Sequence, residues 1–528
     1  METLGALLDA TAARFPAREA VAYAPRREVT SRATFTELRA ASRLAARRLL
    51  GLGVGKGTRV ALLCSNRPEW LPIAFGVARL GGVLVPLSTL WTRDELRYAL
   101  AHADVDTLIM LPAFLRHDYV RDIRALAPEL ADAEPGHLHA TSVPALRRVV
   151  LLDGDAPGTQ RWENVPAVAD DAFLDAVEAT VSPLDWAVVF FTSGTTAQAK
   201  AVVQSHAALT TSARRIADCL GIGSDDAWWG HMPLFWSGGL VMGALAAIAG
   251  GARIVLQEVV ETGDALALLE TERCTVMLGW HQAQPLLDHP DFSRRKLALK
   301  KGSGGTHPLA ARLLGADHVS VGMYGMTETA TCVTCGRWDD PAPIRLETFG
   351  RPLAGMDVRI VDAETGNPVA PGATGEIILR GPTLMEGYYK IPRGSTFDGE
   401  GFFRTGDLGW LDEAGCLHFA GRLKDVIKTA GVNVAASEVE EALARHPAVK
   451  AAHVVGVADA VRGENVAAFV VLAAEIDPEE LRGFCRASLA SYKVPRHVFV
   501  VDEREIPRTA TGKVEKTALR RAAEDRLR

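Results

Sequence analysis

Two hydrophobic periods alternate along the first half of the chain. Over residues 35–52 apolar side chains recur every three or four positions and Gly51, Gly53 and Gly55 close the run, which predicts an amphipathic helix. Residues 59–63 (RVALL) are continuously apolar and predict a buried strand. Residues 72–80 then predict a helix, 82–87 (GVLVPL) a strand, 95–101 a helix and 107–111 a strand. The rhythm returns in strand-like runs at 186–191, 253–256 and 274–278. Strands that alternate with helices imply a mostly parallel sheet covered by helices.

The pattern changes after residue 350. Short strands at 358–361 and 375–380 are split by Gly and Pro, which suggests a small β-rich subdomain over about 350–421. Beyond Gly421, Ser437 has the chemistry of an N-cap, with Glu438, Glu440 and Glu441 in the turn that follows. A strand at 466–472 and a helix at 479–489 complete a separate α+β unit. The expected fold is therefore α/β: a large N-terminal domain over 1–421, with mixed or parallel sheets and flanking helices, and a small α+β C-terminal domain over 422–528. Residues 232–252 carry no charge, but Pro233, Gly238, Gly239, Gly243, Gly250 and Gly251 interrupt them. They predict a buried core helix with Gly-rich ends rather than a membrane span.

With 528 residues, 48% hydrophobic and 23% charged, the chain can bury a large core. A formal net charge of −6 gives no electrostatic reason for a nucleic-acid partner. The seven cysteines are odd in number and scattered, which suits a reducing, cytoplasmic setting better than a disulfide framework. Cys332 and Cys335 form a lone C-x-x-C without the second pair a zinc site needs. The first residues show no basic, apolar leader and no transmembrane segment is expected.

Five segments carry candidate chemistry. In Phe191-Thr192-Ser193-Gly194-Thr195-Thr196 a buried strand runs into hydroxyls and one glycine, and Lys200 follows. Hydroxyls, open backbone N–H groups and a mobile ammonium can bind phosphate oxygens, although alone the segment equally fits a Ser/Thr-rich surface turn. A P-loop is excluded, because Ala199 precedes Lys200 and Ala201 follows it. In Met323-Tyr324-Gly325-Met326-Thr327-Glu328 a ring can stack on a base, a hydroxyl can reach a phosphate and a carboxylate can hold Mg2+; Thr327 also fits a helix N-cap. Asp407, between Gly406 and Leu408-Gly409, could accept from ribose hydroxyls or simply shape a turn. Arg422, Lys424 and Lys428 lie at the expected domain boundary, and Lys513 lies on a Gly-flanked loop near the C-terminus.

In this order the five segments closely resemble the adenylate-forming superfamily of acyl-CoA synthetases, aryl-CoA ligases, luciferases and peptide-synthetase adenylation domains. Further likeness lies in Gly82-Val83-Leu84-Val85-Pro86-Leu87, Met232-Pro233-Leu234-Phe235 and Ser491-Tyr492-Lys493-Val494-Pro495-Arg496. The resemblance implies ATP-dependent activation of a small carboxylic acid as acyl-AMP, with Mg2+, then transfer to the thiol of coenzyme A. It implies a C-terminal domain that rotates between the half-reactions. Thr192, Ser193, Gly194, Thr195, Thr196 and Lys200 would form the phosphate loop. Tyr324 and Gly325 would meet the adenine, with Gly304 and Gly305 lining the base and acyl sites. Thr327 would contact the α-phosphate, Glu328 would bind Mg2+, and Asp407 and Arg422 would hold the ribose. Lys424 matches the hinge and Lys513 the adenylation lysine. Trp236, Trp280, His281 and Met323, with Gly304 and Gly325, would wall the acid pocket.

Two departures stand out. The family's loop usually has Gly at positions 197 and 201 and Pro at 199, where this chain has Ala197, Ala201 and Ala199; nucleotide handling could be altered, but with Thr192 to Thr196 and Lys200 retained the loop is expected to remain functional. Trp236 stands where many acyl-CoA ligases carry His. It could shorten the pocket, stack on an aryl acid, or simply pack in the core. No Asp follows Phe235, which argues against an amino-acid adenylation module. Alternatives are an adenylating enzyme with a carrier-protein thiol or an amine as acceptor, or with nitrite as the activated acid, and a non-catalytic nucleotide-binding regulator.

Overall fold

A computed structural model describes residues 1–192, 199–305, 309–315, 317–429, 432–459, 462–509 and 512–528. The chain divides into two compact units. The first comprises Met1–Asp357 with Arg380–Gly401, and the second Val358–Leu379 with Phe402–Arg528. The β-rich segment thus clusters with the C-terminal part, because its strands pair with those that follow Gly401. Gly375–Arg380 pairs antiparallel with Phe403–Leu411, which pairs with Leu417–Arg422.

In the first unit the alternating periods become two sheets. One orders eight strands as Gly387–Tyr388, Lys200–Ser205, Trp186–Thr192, Val83–Pro86, Arg59–Leu63, Thr107–Met110, Arg148–Leu151 and Gln160–Arg161. Its centre is parallel, with Val60 opposite Leu84 and Thr107. The other orders seven strands, with Lys301–Gly302, Val276–Met277, Ala227–Gly230, Arg253–Gln257 and Glu19–Ala24 consecutive and parallel. Continuous Val, Ile and Leu runs suit strands covered on both faces.

The helices start where local chemistry fixes them. Thr34 and Glu37 form a reciprocal capping box at Phe35–Gly51, and Thr92 and Glu95 form another at Arg93–His102. The uncharged stretch at 232–252 differs from expectation. Its helix begins only at Gly238, runs as a π-helix over Gly238–Leu245 and continues as α-helix over Ala246–Gly250. A methyl group on Gly243 would lie 2.2 Å from the ring of Trp228, which is fully buried. Glycine there lets the helix approach the sheet. No helix among the described residues is long and apolar enough to cross a membrane.

In the second unit a four-stranded sheet leads into a sheet built on the long hairpin Val449–Asp459 and Gly463–Leu472. Ser437 does not cap its helix. Ala436–Ala444 starts one residue earlier without a side-chain cap, and the Ser437 hydroxyl donates to the Ala420 carbonyl at 2.6 Å. A tertiary acceptor has taken the oxygen that the local pattern assigned to the helix end. All seven cysteines are free and buried, and no metal-binding cluster of His, Cys, Asp and Glu occurs among the described residues.

Candidate active site

Parallel strands expose unpaired backbone and loop residues at their carboxyl ends, where α/β proteins bind ligands. Three short segments meet there in the first unit. Trp186–Thr192 pairs antiparallel with Lys200–Ser205, so Thr192 stands opposite Lys200 and the Thr192 hydroxyl points at the Lys200 carbonyl at 3.5 Å. Ser193, Gly194, Thr195, Thr196 and Ala197 lie outside the described residues. Ala201 is a buried strand residue opposite Phe191, the Ala199 carbonyl accepts from the Tyr98 hydroxyl at 3.0 Å, and neither takes positive φ. Glycine is therefore not needed at 201.

Gly387–Tyr388 pairs with the same strand, placing Tyr388 opposite Val202. The Lys200 ammonium lies 4.6 Å from the centre of the Tyr388 ring. The Tyr388 hydroxyl donates to Glu328 Oε1 at 2.8 Å. Burial and then the Glu328 charge push the Tyr388 phenol well above the usual tyrosine range, so it stays a donor. Glu328 keeps its second carboxylate oxygen clear of hydrogen bonds among the described residues, which fits a single oxygen ligand to Mg2+ shared with phosphates.

Glu328 and Thr327 sit in the short 3-10 turn Thr327–Thr329, so Thr327 caps no helix. Met385 N–H donates to the Glu328 carbonyl, and Gln204 Nε2 to the Thr327 carbonyl, each at 2.8 Å. The Thr327 and Ser237 hydroxyls lie 3.0 Å apart. Ala330 and Thr331 then turn through the left-handed region, with φ of 47° and 78°. The Thr331 carbonyl comes so close to Gly325 that a Cβ there would lie 2.2 Å from it. Glycine at 325 is what lets this tight turn fold back beside buried Tyr324.

The acid-pocket candidates form a ladder of rings. Trp236 lies edge-on to Phe235 at 5.8 Å and to His281 at 6.3 Å; His281 lies 5.0 Å from His231, which stacks on Trp229 at 4.0 Å. Burial, and then His281, bring His231 down to about 3, and burial also lowers His281. Both rings are neutral at pH 7, so the ladder presents no fixed charge. Trp280 covers Gly304: a Cβ on Gly304 would fall 1.9 Å from its indole nitrogen. Gly305 is hemmed in by backbone, with the Arg345 carbonyl 1.9 Å from where its Cβ would be. Met323 pairs with Cys335 next to Tyr324.

In the second unit Asp407 and Arg422 face each other across a strand pair, with Arg422 Nε 3.1 Å from Asp407 Oδ1. Lys424 is exposed in the turn Leu423–Asp425. Lys513 is exposed, and its carbonyl accepts from the Thr509 N–H at 2.8 Å. The structure thus gathers Thr192, Lys200, Thr327 and Glu328 in one unit and Asp407 with Arg422 in the other. Tyr388, Gln204 and Ser237, which join the first group, were not among the residues expected from the sequence. The Gly387-Tyr388-Tyr389-Lys390 run was the available signal, since in a strand its two rings must face opposite ways.

The family model for the AMP-binding enzyme matches residues 8–389, and that for the AMP-binding enzyme C-terminal domain matches 438–513. The chain belongs to the AMP-binding enzyme family. Among members of this family, YngI of Bacillus subtilis (strain 168), provisionally named an acyl-CoA synthetase, is 34% identical over 98% of this chain and 96% of its own. The acyl-CoA ligase sidI of Aspergillus fumigatus is 33% identical over 93% and 87%. ATP-bound MatB from Rhodopseudomonas palustris superposes with a TM-score of 0.80 at 26% identity, covering 99% of this chain and 100% of that one. The amide bond synthetase McbA from Marinactinospora thermotolerans gives 0.80 at 29%, covering 98% and 99%.

Proposed function

We propose that the Lys200–Tyr388–Glu328–Thr327 cluster is the phosphate and metal end of an active site that activates a carboxylic acid bearing no second charge. The chain is an AMP-forming acid–thiol ligase, which uses ATP and Mg2+ to make acyl-AMP and pyrophosphate and then passes the acyl group to the thiol of coenzyme A. The observation that carries the residue assignment is Tyr388, which touches both Lys200 and Glu328 and so holds a cation and a carboxylate in one frame.

Attack of a carboxylate on the α-phosphorus brings negative charge toward negative charge, so catalysis rests on neutralisation and positioning. Lys200 would serve the β- and γ-phosphates, the Thr327 hydroxyl the α-phosphate, and Glu328 would hold Mg2+, which supplies charge neutralisation when bound. Tyr324 would stack on adenine, while Asp407 and Arg422 would hold the ribose hydroxyls. The neutral rings of Trp236 and His281 favour an acid with an apolar or aryl body. The boundary at 421/422 would be the pivot of a domain alternation, with Lys424 at the hinge and Lys513 delivered for adenylation. The seven free thiols support a reducing, cytoplasmic setting.

ATP–pyrophosphate exchange over a panel of alkyl and aryl acids, followed by product analysis with CoA, tests this reading. Exchange with apolar monocarboxylates and thioester formation are expected, and no exchange with any acid would overturn it. A second reading, transfer to an amine, is favoured by the likeness to the amide bond synthetase McbA. Amide in place of thioester, with CoA and amine both present, would select it.

A further inference from the structure

The seven-stranded sheet has a second open end. At the amino ends of its strands, opposite the loops described above, lies a cavity of about 700 Å3, which is the size of a small-molecule site. Glu19, just after Arg18, begins one strand there; Ala227 and Arg253 begin two more, and Thr275 and Lys300 precede the next two.

The charges on this wall are unevenly satisfied. Glu19 accepts from Arg32 at 2.9 Å and from Arg253 at 3.1 Å. Asp226 is held by Lys301 at 2.7 Å and by the Thr275 hydroxyl at 2.8 Å, and Asp225 pairs with Arg18 at 2.7 Å. Every carboxylate on the wall is thus taken. Arg273, Lys296 and Lys300 form no ion pair among the described residues, yet all three line the cavity. Residues 294–301 read RRKLALKK, a run of cations with no carboxylate.

Arg273 adds a second observation. It follows the C-cap of the helix Thr262–Thr271 with a φ of 49°, where glycine is the ordinary choice. A side chain with a Cβ costs about 1 kcal/mol there. The strained residue is one of the three lining cations that form no ion pair among the described residues.

We propose that this cavity is a binding site for a phosphate-bearing small molecule, separate from the nucleotide site at the carboxyl ends. Two exposed ammonium groups and an exposed guanidinium lining one concavity match phosphoryl oxygens, which take several donors per group. The concave shape and the paired carboxylates on the same wall select a small anion over a nucleic-acid backbone, and the volume admits a nucleotide-sized molecule.

Phosphate-directed labelling tests the site in place. Pyridoxal 5′-phosphate forms imines with lysines and is fixed by borohydride, and peptide mapping then locates the label. Lys296 or Lys300 should be labelled about tenfold faster by pyridoxal 5′-phosphate than by pyridoxal, and faster than exposed Lys428. Inorganic tripolyphosphate should protect them, whereas the acid substrate should not. Arg273→Glu should lower the labelling rate about tenfold while ATP–pyrophosphate exchange stays unchanged. Arg273→Gly, which removes the charge and relieves the backbone, should do the same with the fold intact. Equal labelling by the two aldehydes, or labelling indifferent to both substitutions, would overturn the proposal. Since exchange is read separately, failure of this site and failure of the ligase reading are distinguishable.

Discussion

Tyr388 makes a sharp residue-scale test, because it acts through others. Its hydroxyl orients the Glu328 carboxylate and its ring lies against the Lys200 ammonium. Tyr388→Phe keeps the ring and removes only the hydroxyl, so Glu328 loses one charge-assisted hydrogen bond, an interaction of about 1.5–3 kcal/mol. We expect roughly a tenfold fall in pyrophosphate exchange, a raised Mg2+ requirement and an unchanged KM for the acid. A loss independent of Mg2+ concentration would show that Glu328 is not the metal ligand. Trp236 tests the pocket. Trp236→Ala should shift kcat/KM toward bulkier acids by about tenfold, the scale set by a change of apolar volume of about 1–3 kcal/mol, with ATP use unaffected. Lower thermal stability with an unchanged acid profile would assign Trp236 to packing alone. The sequence motifs pick out Lys200, Thr327 and Glu328 as candidates one by one, because each carries its chemistry locally. Their joining through Tyr388, Gln204 and Ser237 is invisible there, since it depends on strand partners far apart in the chain.

Among elements, long buried strands and capped helices are legible because their signals are local: Arg59–Leu63 and Gly375–Arg380 coincide with the apolar runs that predict them. Ser437 shows the limit. A serine followed by glutamates reads as a cap until a carbonyl from another strand competes for its hydroxyl. The N-terminal helix Leu4–Arg14 docks by a contact of the same long-range kind. The Leu4 N–H donates to His206 Nδ1 at 3.3 Å, at the start of the helix His206–Leu220. Burial brings His206 down to about 4, against a raising effect from Asp185 and a lowering one from Lys56. A base whose folded value lies below its unfolded value near 6.5 takes up its proton first in the unfolded chain. Stability from His206 is therefore full above about pH 6.5 and falls as pH drops toward 4, by up to about 1.4 kcal/mol per pH unit. His231 acts with the same sign. His206→Asn, which keeps an acceptor for Leu4, should flatten the pH dependence of urea unfolding between pH 6.5 and 4.5. An unchanged slope would mean that His206 is protonated equally in both states.

At the scale of the whole molecule, the two lysines of the second unit should fail in different ways. Lys513 lies on a Gly-containing loop and Lys424 in the turn just after the Asp407–Arg422 strand pair. If the second unit alternates, Lys513 meets the nucleotide only during adenylation, a contact made chiefly in the transition state. Losing one such charge costs a factor of about 100 or more in rate. Lys513→Ala should therefore abolish acyl-AMP formation from acid and ATP while still converting supplied acyl-AMP and CoA to thioester. Lys424→Pro fixes φ at the pivot and removes a backbone donor, so it should spare adenylation and impair thioester formation. The two half-reactions must be assayed separately, with acyl-AMP supplied for the second. Equal loss of both half-reactions in both variants would reject alternation and leave an adenylating enzyme that works in one conformation. Retained adenylation in Lys513→Ala, with the thioester step lost, would reverse the roles assigned to the two lysines.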